Sequence, residues 1–319
     1  MPLSAYPIDP QLTGLLISHM NMPTDYIANT IAPYRPVAAR LFEWDQFNID
    51  EMFTPQGGAV GRLSKTDDVT FGATRLTSST ANYALSSPVP FEDINSQDVG
   101  VGYDVLSRHT EGLSALIQLD REVRVAARVQ NLATYPASQR VTLSGTSQWS
   151  DYTNSDPLTS MLTALDIPLL RPNTMIMSQS TWTILRRHPR LVQASKPASV
   201  SGQGTISLAE LAEVLEIDQI LLGKARRNTA KPGQPAVMGR LWGKGVAAVY
   251  INPAAQLQGV ATEPTFMLTP RFGTPVTNQE PVAPGQMGMY GGIRVTAGES
   301  VAELVQSTQG AYYWEAAVA

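Results

Sequence analysis

The strongest periodic signal lies in residues 97–133. At about 100° per residue, Leu113, Leu116, Leu119, Val123 and Ala127 fall in one broad apolar stripe, and Arg121, Arg124 and Arg128 share an adjacent face. Tyr135-Pro136 stops the run near Ala133. A helix of that span would be about 50 Å long at about 1.5 Å per residue. That is longer than a compact domain needs and suits the spine of an elongated subunit.

Period-two alternation precedes it. Val69, Phe71 and Ala73 fall on one face and Thr70, Gly72 and Thr74 on the other, so residues 59–64 and 69–76 predict two strands joined by the turn Lys65-Thr66-Asp67-Asp68. Residues 82–86 form a third extended piece leading into Pro88-Val89-Pro90. This region has few large apolar residues, and a lone hairpin is marginal in water. It is expected to lie on another surface, such as a neighbouring subunit, or to be mobile. Residues 1–50 read as an arm, broken by Pro2, Pro7, Pro10, Pro23, Pro33 and Pro36 and studded with aromatic residues, with one short helix over 11–19.

From 150 to 261 helix and strand alternate. Asp156-Pro157 caps one helix, Ser180 a second that runs to His188-Pro189, and the capping box Ser207-Leu208-Ala209-Glu210 a third, with Leu208, Leu211 and Leu215 on one face. Residues 174–177, 220–222 and 245–251 read as buried strands, and 196–204 as a loop. Residues 262–319 return to strands, at 291–295, 300–306 and 310–317.

The chain has 319 residues, of which 43% are hydrophobic and only 16% charged. Length predicts about two domains. The charged fraction is below the usual value of about 25%, which suits a surface buried against partners. A net charge of −4 excludes a generally basic nucleic-acid binder. Only five of the 23 basic residues are lysine, and arginine is the cation preferred in desolvated ion pairs. Cysteine is absent, which removes disulfides, thiolate metal sites and thiol nucleophiles. No apolar run approaches a membrane span, and the N-terminus lacks the basic region of a signal peptide.

Motifs for chemistry are missing. His19, His109 and His188 are scattered. Gly100-Val101-Gly102 lacks the third glycine of a dinucleotide loop, and the 239–245 segment is one residue short of a phosphate loop and ends in glycine where Ser or Thr is needed. No catalytic residue, cofactor or metal site is expected. Two basic clusters stand out, Arg186, Arg187 and Arg190, and Arg226 and Arg227. The first lies at a predicted helix C-terminus, where cations complement the dipole. The Arg121, Arg124, Arg128 stripe is open to three readings, a solvated face, a salt-bridge strip between subunits or a surface facing nucleic acid, and the strip is favoured because exposed isolated pairs contribute little.

The order of segments and several phrases in them resemble the major capsid protein of tailed bacteriophages, with its Hong Kong-97-type shell fold. The phrases are residues 82–93 (NYALSSPVPFED), 119–126 (LDREVRVA), 143–151 (LSGTSQWSD), 154–157 (NSDP), 171–175 (RPNTM), 182–189 and 242–244 (WGK). The resemblance implies an α+β subunit with an N-terminal arm (1–50), an extended β-hairpin loop (51–96), a peripheral domain with the spine helix (97–149), an α/β axial domain (150–261) and peripheral return strands (262–319). It implies self-assembly into pentamers and hexamers of an icosahedral shell around double-stranded DNA, held without sequence specificity. A portal and decoration proteins are further implied partners. Relatives often carry a cleaved scaffolding segment. With Met1 at the start and little chain before the hairpin, a separate scaffolding protein is expected instead. No membrane is implied; the location is the virion, with assembly in the host cytoplasm. An encapsulin-type bacterial compartment, of the same fold with protein cargo, is the alternative. Some relatives cross-link through a loop lysine. Lys65 lies at the predicted tip beside Asp67 and Asp68, in a turn that reads as wet, so a non-covalent shell is expected, with Lys65, Asp67 and Asp68 as inter-subunit contacts.

Overall fold

A computed structural model describes residues 26–47, 59–60, 65, 68, 73–95, 104–196, 204–231, 233–253 and 264–319. The expected helix at 11–19, Asp67, and most of the expected strands at 59–64 and 69–76 lie outside the described residues.

The described chain opens with a one-turn helix α1 (Ala28–Ile31) and strands β1 (Tyr34–Val37) and β2 (Leu41–Phe47). Strands β3 (Ala73–Ser79) and β4 (Ala81–Pro90), a short helix α2 (Phe91–Asn95) and the spine helix α3 (Val105–Val129) follow. After β5 (Arg140–Thr142) come α4 (Pro157–Leu165), β6 (Thr174–Ser178), α5 (Gln179–Leu185), α6 (Pro189–Ser195), α7 (Leu208–Leu215) and β7 (Gln219–Gly223). The remainder is β8 (Arg226–Asn228), β9 (Met238–Arg240), β10 (Val246–Val249), β11 (Met267–Phe272), β12 (Val276–Val282), β13 (Gly292–Val301), β14 (Leu304–Val305) and β15 (Ala311–Glu315).

Two sheets organise the chain. A five-stranded sheet has the order β5-β15-β10-β6-β7. Its strands alternate cleanly, as a period of two requires. Met175, Met177, Val246, Ala248, Tyr312 and Trp314 enter a core with α4–α7, while Ile176, Ala247, Val249 and Tyr313 enter a second core on the opposite face. Such a sheet, buried on both faces, reads as a continuous apolar run. The second sheet runs β1-β11-β13-β12, with β14 added to β11 and β4 to β13. The spine helix links the two. Leu113 and Ile117 pack on Val89, Val295 and Ala297 of the second sheet, and Val125, Ala126 and Val129 pack into the core beneath the first.

Several expectations are corrected. The spine helix has 25 residues, about 37 Å at about 1.5 Å per residue. It starts where extended Asp104 caps it, accepting from the Leu106 N–H at 3.0 Å. It ends where the Tyr135 hydroxyl returns to donate to the Val129 carbonyl at 2.7 Å. The apolar stripe is also rotated: Leu116 is 53% exposed and Ala127 exposed, while Arg121 and Glu122 are buried. Two buried charges in the packed face displaced the hydrophobic average.

The end of the arm is core, not a loose strap. Ile27, Ile31 and Ala32 are buried, and β1 pairs in parallel with β11. Strand β4 is likewise no draped loop: it pairs with β13 over its whole length, Ala81 opposite Val301 and Pro90 opposite Gly292. The strand at the far end of the 51–96 region finds its partner in the arm, since β3 pairs with β2, Leu76 opposite Trp44. Among the described residues this two-stranded ribbon has no third strand, and Leu41 at its base is 66% exposed.

Candidate functional site

Midway along the spine helix lies a buried charged node. The Glu122 carboxylate accepts from the Ile27 N–H at 3.2 Å, the Ala28 N–H at 2.8 Å and the indole N–H of Trp242 at 2.7 Å. It thereby satisfies the open N–H groups of α1, which has no side-chain cap of its own. Arg121 serves the other end of α1. Its guanidinium donates to the Ala32 carbonyl at 2.6 Å, to Thr269 Oγ1 at 3.2 Å and to Asn29 Oδ1, and lies 3.7 Å over the Tyr34 ring. Burial pushes the Glu122 carboxyl above the usual carboxylate range, against the pull of Trp242, of the two backbone donors and of Arg121.

One turn on, Arg124 extends the node. Its Nε donates to Glu303 Oε1 at 2.8 Å, it pairs with Asp120, and it lies 3.7 Å over the Tyr83 ring. Its Nη2 stands 4.0 Å from Glu299 Oε1, an ion pair without a hydrogen bond. The other Glu299 oxygen accepts from the Tyr34 hydroxyl at 3.0 Å. Burial raises the Glu299 carboxyl and likewise pushes the Tyr34 phenol up. The node thus ties the arm end, the spine helix, β4, β13 and Trp242, two residues past β9, together. Breaking one member of such a buried ion network costs about 3–5 kcal/mol, because it strands a charge. Its carboxylates are engaged as acceptors, and the arrangement acts as a clamp.

The expected strip of arginines between subunits is corrected here. Arg121 is buried and bonded inside its own chain, Arg124 is mostly so, and only Arg128 is exposed. Helix α5 ends at Leu185, with Arg186 as its exposed C-cap. Arg187 donates from Nε to the Thr183 carbonyl at 3.3 Å, as a C-terminal cation can. Arg190 is different: it sits in the first turn of α6, so the dipole argument does not extend to it. The intervening His188 is buried and is the α6 cap. Its Nδ1 accepts from the Arg190 N–H at 3.3 Å, which leaves Nε2–H to donate to Ser155 Oγ at 3.0 Å. Arg226 and Arg227 are exposed on the β8–β9 hairpin. Lys65 pairs with Asp68 at 3.2 Å, the two side chains 84% and 79% exposed, a wet ion pair.

No protein-family model matches the sequence. The major capsid protein of Pseudomonas phage JBD67 is 39% identical over 319 residues, spanning 100% of both chains. The chain belongs to the family of phage major capsid proteins. The subunit is thus a structural protein that associates with copies of itself in a capsid. In fold, it is similar to a phage-related protein from Bordetella bronchiseptica RB50, with a TM-score of 0.73 and 20% identity, covering 98% of this chain and 99% of that one. It also resembles the capsid of cyanophage P-SCSP1u, with a TM-score of 0.55 and 10% identity, covering 99% and 90%.

For this capsid subunit, sequence reasoning missed Glu122, Glu299, Glu303, Tyr34 and Trp242. One signal was available. Arg121 and Glu122 stand four residues after Ile117 and Gln118 and four before Val125 and Ala126, so they continue the face that those positions bury.

Proposed function

We propose that the capsid subunit builds the icosahedral shell around the double-stranded DNA genome of a tailed phage, through pentameric and hexameric rings. The observation that carries this reading is the two-sheet subunit joined by one long helix, with a β2–β3 ribbon that among the described residues has no third strand. A two-stranded ribbon is marginal in water, so it is stabilised when a neighbour covers it. In the Hong Kong-97-type reading, the five-stranded sheet with α4–α7 is the axial domain, the second sheet with the spine helix is the peripheral domain, and the ribbon is the extended loop. Weak contacts repeated around closed symmetry then give a shell more stable than any single contact. A portal and a separate scaffolding protein belong to the same reading, with assembly in the host cytoplasm. Lys65 is exposed and paired with Asp68, which supports a shell held without covalent bonds.

Electron microscopy of the purified subunit, with nucleic-acid analysis of particles from infected or induced cells, tests the proposal. Closed icosahedral particles containing genomic DNA are expected. Particles loaded with an enzyme instead of DNA would overturn the reading in favour of a bacterial compartment shell. Boiling the particles in detergent before a denaturing gel should give one monomer band, whereas a covalent ladder lost in Lys65→Ala would refute the non-covalent shell.

A further inference from the structure

Charge is segregated along the chain on either side of the edge strand β7. From Gln219 to Pro253 the sequence has no Asp or Glu, yet it has Lys224, Arg226, Arg227, Lys231, Arg240 and Lys244, all exposed. These cations are carried on or beside the β8–β9 hairpin. There Arg226 stands directly opposite Arg240. Like charges facing across a strand pair destabilise it unless an anion lies between them. The hairpin is well braced: Asn228 Oδ1 accepts from the N–H groups of Ala230 and Val237, each at 3.0 Å, and Gly233 turns at φ +85° after the Lys231 carbonyl accepts from Gln234. At its base, a Cβ on Gly223 would overlap the Trp242 ring.

The segment just before it is the reverse. Ser207 to Asp218 has Glu210, Glu213, Glu216 and Asp218 and no cation. Glu210 pairs with Lys196 and Glu216 with Arg171. Glu213 and Asp218 are exposed, and among the described residues neither has a cation within ion-pair distance. They flank the C-terminus of α7, whose last turn has no basic residue and whose carbonyl end carries partial negative charge. The neighbouring β7 is the edge strand of its sheet.

We infer that the β8–β9 hairpin of one subunit docks through Arg226 and Arg240 on the Glu213–Asp218 edge of a second copy of this chain. The inference rests on self-assembly of the subunit and names a contact within it. Two complementary patches at different places on one molecule, here before and after β7, form a head-to-tail contact, which closes into a ring when the rotation permits. The hairpin also exposes Val237 and Met238, each 58% accessible. Apolar side chains among arginines, methionine in particular, are typical of a protein interface. They gain nothing against phosphates, which makes a nucleic acid the weaker match.

Reciprocal charge reversal in an assembly reaction tests the contact. The wild-type chain should form shells, with a yield that falls as salt screens the contact. Arg226→Glu/Arg240→Glu should lower the yield at least tenfold, and so should Glu213→Arg/Asp218→Arg. Combining all four should restore most of it. The milder Arg240→Gln should reduce both yield and salt dependence. Far-UV circular dichroism and thermal melting of the unassembled variants should match wild type, which separates lost contact from lost fold. Wild-type yield from either double variant, or no recovery in the combined one, overturns the assignment. Normal shells with reduced nucleic-acid content would overturn it in favour of a genome-facing hairpin. A wild-type chain that forms no shells would remove the self-assembly on which the contact depends.

Discussion

Replacing Glu122 by alanine should unclamp the arm end from the spine helix. The substitution strands three buried donors, the Ile27 and Ala28 N–H groups and the Trp242 indole. Each buried donor left unsatisfied costs about 1–3 kcal/mol. Removing the carboxylate also relieves its own desolvation, which offsets part of that sum, and leaves buried Arg121 without the adjacent negative charge. The net loss should fall near 3–5 kcal/mol, the range for breaking a buried charged network. Glu122→Gln keeps the shape and one acceptor oxygen but aims an amide N–H₂ at the donors, so it should lose less than alanine. Urea unfolding of the unassembled subunit gives the magnitude. Amide exchange gives the location: protection should fall at residues 27–32 and persist at Thr174–Ser178, in the middle of the five-stranded sheet. A loss under about 1 kcal/mol for Glu122→Ala, below the cost of even one stranded donor, or uniform loss of protection, would refute the clamp.

Four further outcomes follow from the same geometry. Burial holds His188 below its usual pKa, with Arg190 acting the same way and Asp156 and Asp151 opposing; the unfolded chain therefore binds more protons than the folded one as pH falls through about 6.5, so stability should drop there. His188→Asn, which keeps a side-chain acceptor at the α6 cap, should flatten that drop in thermal melts from pH 7.5 to 5. Glu299 has the opposite sign, since burial raises its carboxyl: its contribution is fullest below the unfolded value and is lost as pH rises through the folded one, so the stability of wild type relative to Glu299→Gln should decline from pH 4 to 8. Gly223→Ala should destabilise by about 1–3 kcal/mol, the cost of overpacking, because Trp242 is pinned by Glu122 and cannot yield, whereas Gly112→Ala, with open space around it, should not destabilise. Deleting residues 58–77 removes most of β3 and should leave a soluble subunit that forms no stable shells in negative-stain micrographs.

Elements whose cause is local were legible in the sequence. The capping box at Ser207 and Glu210 is present, with both of its reciprocal bonds. Asp156 caps α4 with Pro157 in its first turn, as the dipeptide implied. Strands β6 and β10 were readable because a sheet covered on both faces needs an unbroken apolar run, whereas β7, expected to be buried, is an edge strand whose residues 220–222 are only half-buried. The order of segments, with its short phrases, was enough to suggest the capsid family. What tertiary structure alone decided is which partner each strand and each charge would take. Nothing in β4 indicates that it pairs with β13 some two hundred residues away, or in β3 that it pairs with the arm. Those pairings depend on long-range backbone hydrogen bonds, which accept almost any side chain and leave little trace in composition. Arg121 and Glu122 were read as surface charges because local patterning treats charge as exposure. The fold could bury them because α1, one turn long and with no side-chain cap of its own, supplied open backbone donors at one end and a carbonyl at the other.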